Sequence, residues 1–101
     1  MNKYERVLSE LLKGNTASMK VFGKSMEPII YSGTVLTFQS FTEYEIDDIV
    51  YCKVNGRIVD AHKIIKIREN KGKKEYLIAN NHGFENGWTS IIYGKVIKIG
   101  E

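Results

Sequence analysis

DIVYCKVNGRIVDAHKIIKI, Asp48 to Ile67, is the stretch on which the fold turns. Two runs rich in Val, Ile, Tyr and Cys flank Asn55-Gly56. A two-residue type I′ turn needs positive φ at both central positions, which Asn and Gly tolerate best, and its twist matches that of antiparallel strands. The stretch therefore reads as a β-hairpin, with strands over 48–54 and 57–67.

Working outward, MKVFG (19–23), TVLTF (34–38), EYLIA (75–79) and IIYGKVIKI (91–99) read as further strands. ENKGKK is a charged turn around Gly72. At the front, Tyr4, Val7, Leu8, Leu11 and Leu12 recur at helical spacing between charged residues, and Gly14-Asn15 stop the helix. Residues 1–14 are thus expected to form one amphipathic helix and residues 18–99 a β unit of about six strands. The expectation is a mostly β protein: one domain over 1–101, a small coiled antiparallel sheet or partial barrel.

Composition agrees with a folded chain. Of 101 residues, 43% are hydrophobic and 27% charged, and the net charge is +3. The lysines are spread from Lys3 to Lys98 rather than gathered with aromatics on one element, which disfavours nucleic acid as a partner. Lys71, Lys73 and Lys74 read as a solvated turn. One cysteine, Cys52, excludes an internal disulfide and sits in an apolar run as a buried thiol. No run approaches the ~18 apolar residues of a membrane span, and the N-terminal segment has no signal-peptide core. The expected setting is the cytoplasm of a bacterium or a phage-infected cell, with no membrane anchor.

Chemistry gathers in GKSMEPII, Gly23 to Ile30. Pro28 stiffens the chain leaving Ser25, Gly23 relieves crowding in front of it, and Met26 offers a soft apolar side chain. Such a segment can hold a hydroxyl at the mouth of a groove beside backbone N–H groups. A serine also needs a base. His62 and Lys63 are adjacent on one expected strand and point to opposite faces, so only one can face Ser25. Lys63 shares a face with Val59, Ala61, Ile65 and Ile67, where a lysine could act with a lowered pKa; His62 needs no such shift. Periodicity leaves the choice open.

The block GKSMEPIIYSG, then DIV, then a strand carrying HKI, resembles the signal-peptidase and LexA-type serine peptidase superfamily over about Val21 to Ile99. The resemblance implies Ser25 as nucleophile and His62 as the base, with Lys63 at the neighbouring basic position. It also implies a coiled β fold, an extended peptide or protein substrate with small residues near the cut, and no metal or organic cofactor. Where histidine-type members carry a G-D-N motif, this chain has Ala79-Asn80-Asn81. Asn80 could orient an imidazole by hydrogen bonding, and Asp60 or Glu85 could supply the absent charge. Gly23, Met26 and Pro28 are the expected substrate-binding residues. No glycine follows Ala or Cys, which argues against self-cleavage at such bonds.

The rival reading is a catalytically idle copy that binds a peptide or protein, or forms a homodimer through its sheet or its helix. His82 reads as a surface loop residue. Trp88, Phe84 and Tyr93 read as core, and Cys52, His62 and His82 lack the close spacing of a zinc site.

Overall fold

A computed structural model describes all residues, Met1 to Glu101. One helix, α1 (Lys3–Leu12), precedes seven strands: β1 (Ala17–Val21), β2 (Thr34–Gln39), β3 (Ile49–Val54), β4 (Arg57–Asn70), β5 (Lys73–Ala79), β6 (Glu85–Thr89) and β7 (Ile92–Ile99). All pair antiparallel in one sheet of order β1-β2-β7-β3-β4-β5-β6. The β3–β4 hairpin turns where expected, with φ of 50° at Asn55 and 78° at Gly56. Lys71-Gly72 makes a second turn of the same hand between β4 and β5. The strand missing from the sequence reading is β6, whose polar residues pair with β5 as an edge.

Helix α1 is capped by Asn2, whose side chain accepts a hydrogen bond from the Glu5 amide. Val7 and Leu11 are buried, with Tyr4 and Leu8 packed alongside; Leu12, expected on the same stripe, is exposed. No helix is long and apolar enough to cross a membrane.

Strand β3 is covered on both sides, which is why IVYC carries no polar alternation. Tyr51 enters one apolar cluster with Leu36, Phe38, Met19 and the helix; Val50, Cys52 and Val54 enter a second with Ile64, Tyr76 and Ile78. Cys52 is fully buried, and burial, helped by the charge of Asp60, pushes its thiol up to about 12.

The period-two reading of β4 fails in part, because β4 carries two bulges. Val50 and Cys52 face His62 and Val59, so β4 spends one residue more than β3 over that span. A second extra residue falls between Ile64 and Lys66 opposite β5. Each bulge resets which face follows, so Val59 and Ala61 end up in different clusters.

Candidate active site

Ser25 lies in the turn after edge strand β1, and His62 lies in β4, four strand spacings away in the sheet order. In a flat sheet those strands would be about 19 Å apart. Instead His62 Nε2 sits 3.1 Å from Ser25 Oγ. The sheet therefore coils until the turn leaving its first strand meets the strands near its other edge.

On its other side His62 Nδ1 lies 2.7 Å from Asn86 Oδ1, on β6. An amide oxygen only accepts, so Nδ1 carries the hydrogen. That leaves the Nε2 lone pair to accept from the Ser25 hydroxyl. The expected orienting residue, Asn80, does not touch the imidazole: its Oδ1 accepts from the backbone of His82 and Phe84, stapling its own loop. Neither acid takes that place. Asp60 turns to the Tyr4 hydroxyl, and Glu85 is exposed. Asn86 was not legible because it lies in a turn-like polar run, NNHGFENGW, whose last part becomes strand only by pairing with β5.

Lys63 does not stand at Ser25 but supports it from behind. Its ammonium donates to Asn81 Oδ1 at 3.0 Å, and Asn81 Nδ2 donates to the Glu27 carbonyl at 3.0 Å. The Asn81 amide donates to the Ser25 carbonyl at 2.8 Å, and His82 Nε2 donates to the Lys24 carbonyl at 2.9 Å. The loop after β5 thus holds three carbonyls of the serine turn. His82, an exposed loop residue as expected, also supplies one of the three clamps.

With these carbonyls drawn into the loop, the amides of Lys24, Ser25 and Met26 make no hydrogen bond within the chain. The turn itself closes through the Ile29 and Ile30 amides donating to the Met26 carbonyl, with the Glu27-Pro28 peptide cis. Gly23 has φ +104°, a conformation costly for any residue with a side chain, and its amide donates to Ser32 Oγ.

Beside Ser25 is a pocket of about 20 Å³ between the end of β1 and β4, lined by residues including Gly23, Met26, Ile30, Tyr31, Asp60 and Ala61. Of the expected substrate-binding residues, Gly23 and Met26 line it and Pro28 does not. Met26 is also a core residue, 3% exposed, so it floors the pocket rather than offering a free surface. Of the aromatics, Tyr93 packs on Tyr51 and Trp88 stacks under Arg68, while Phe84 is exposed rather than core.

A family model described as Peptidase S24-like matches residues 1–97 of the chain. No curated protein matches the sequence.

Proposed function

The chain belongs to the peptidase S24-like family, and from that premise we propose that it is a serine peptidase working through a Ser25–His62 dyad. The observation that carries this is the Oγ–Nε2 distance of 3.1 Å together with the hydrogen held on Nδ1. Ser25 Oγ attacks a peptide carbonyl while His62 Nε2 takes the hydroxyl proton. The unpaired amides of the serine turn receive the oxyanion. As the tetrahedral adduct collapses, His62 returns that proton to the leaving amine. Water, deprotonated by His62, then hydrolyses the acyl-serine and restores the hydroxyl. The substrate lies extended along the sheet, main chain to main chain, with a small or slender residue at the pocket beside Ser25.

Asn86 gives the imidazole an orientation but no countercharge for the imidazolium, and this favours a second reading, a binding module that retains the peptidase fold. One experiment separates them. An alkyl fluorophosphonate phosphonylates a serine hydroxyl, with loss of fluoride, only where a base and an oxyanion site activate it. The dyad reading expects stoichiometric labelling at Ser25 that Ser25→Ala abolishes and His62→Ala reduces by at least about a hundredfold, the lower end of general-base effects. A chain that resists the reagent, or is labelled equally well as His62→Ala, is a binding module.

A further inference from the structure

We infer that Asp60 selects a substrate carrying a compact positive charge, an ammonium, at the pocket beside Ser25. This rests on the peptidase reading above and names its substrate class.

Asp60 and Ala61 both line that pocket, although they are neighbours on one strand. The β4 bulge between Val59 and His62 supplies the extra residue that this requires. Bulges commonly sit next to sites, and here the bulged segment brings an acidic residue to the pocket lining. The other walls, Val21, Phe22, Met26, Ile30 and Ala61, are apolar.

Asp60 is half-buried, yet it forms no salt bridge, and its only side-chain partner is the Tyr4 hydroxyl at a long 3.5 Å. A carboxylate partly removed from water and lacking a cation is unspent binding capacity. The basic side chain next to Tyr4 on the helix is Lys3. It is committed elsewhere, donating to the Lys20 carbonyl and lying 4.8 Å from the Phe22 ring centre. Asp60 is thus the one carboxylate of the pocket, facing the group that a bound substrate brings.

The space of about 20 Å³ admits a water-sized group, and an ammonium is of that size. The apolar walls suit the slender stem of a lysine, whose methylenes bury while the charge reaches a partner. A free amino terminus carries the same chemistry on a shorter reach.

The test uses peptidyl phosphonates that differ only in having lysine, norleucine or glutamate at each of the three residues before the phosphorus. Each is offered with its terminus free or acetylated. Second-order labelling rates on the full chain are divided by the rate of a neutral alkyl fluorophosphonate on the same protein. Wild type is expected to prefer lysine to norleucine by about tenfold at one position, the ratio of one charge-assisted contact. Asp60→Asn should bring that ratio to one, and Asp60→Glu should keep most of it. A preference for the free over the acetylated terminus, with lysine and norleucine equal, identifies the amino terminus as the ammonium; a preference for lysine over norleucine that survives acetylation identifies the lysine. Wild-type rates that are equal for lysine and norleucine and also equal for free and acetylated termini, or a preference that persists in Asp60→Asn, overturn the inference while leaving the dyad standing. Failure of the alkyl reagent itself refutes the dyad, and the inference falls with it.

Discussion

Replacing Asn81 by alanine should loosen the serine turn without touching the serine. The side chain makes two bonds: Nδ2 to the Glu27 carbonyl and Oδ1 from the Lys63 ammonium, both at 3.0 Å. Each such bond is worth about 1 kcal/mol net. The substitution should therefore cost about 2 kcal/mol, or roughly a 10 °C fall in Tm for a chain of this size. The Asn81 backbone bond to the Ser25 carbonyl survives, so the turn should shift rather than melt. Because the amides proposed to receive the oxyanion sit on that turn, fluorophosphonate labelling should slow by about tenfold or more, in line with loss of alignment at one oxyanion donor. Thermal unfolding and labelling kinetics on the same preparation measure both effects. Lys63→Met should reproduce part of the stability loss, and the double variant should lose less than the sum, since the two residues share one bond. A Tm within 2 °C of wild type, as an order-of-magnitude threshold, with an unchanged labelling rate, would refute the idea that this loop holds the turn.

Two further outcomes follow from the same structure. Asn86→Ala removes the acceptor that holds the hydrogen on His62 Nδ1 and should slow Ser25 labelling by about tenfold, the worth of one neutral hydrogen bond. Asn86→Asp should exceed wild type by a few-fold, because a carboxylate stabilises the imidazolium; equal rates in all three proteins would dismiss Asn86 as an orienting residue. Alkaline stability should track Cys52. Its thiol rises from 9.0 to about 12 on folding, so the fold favours the protonated form. The stability this contributes is full below about pH 9 and is lost as pH climbs from there toward 12. At about pH 10.5 the loss should be about 2 kcal/mol, and Cys52→Ala should flatten that limb in denaturant titrations. Tyr51, also pushed up to about 12 chiefly by burial, leaves a shallower slope in the same direction. A limb unchanged in Cys52→Ala would show that the buried thiol is not its source.

Local chemistry made most of the elements legible. Asn55-Gly56 names its own turn because few residue pairs tolerate two positive φ values, and the apolar run Ile49–Cys52 names a strand covered on both faces. Helix α1 was readable from its stripe, though not the exposure of Leu12, because a stripe cannot say how wide a face the neighbouring strands cover. Strand β6 was illegible: ENGWT has little strand propensity, and it extends only because β5 offers an unpaired edge.

The site divides along the same line. Ser25 and His62 could be nominated from the sequence because the SMEP block, followed in order by the short HKI run, resembles a family pattern. The face of His62 could not be derived, since period two assumes an unbroken ladder and β4 breaks it twice. Nor could the partners of the pair be found. Asn86, Asn81, His82 and Asp60 reach the site from a distant strand, a loop and a bulge. Those contacts exist only because seven strands coil far enough to bring the turn after β1 onto β4. Short-range preferences act within a few residues, so the sequence alone determined which segments are strands and where they turn. Closure of the sheet is a long-range packing outcome, and it decided which side chains meet.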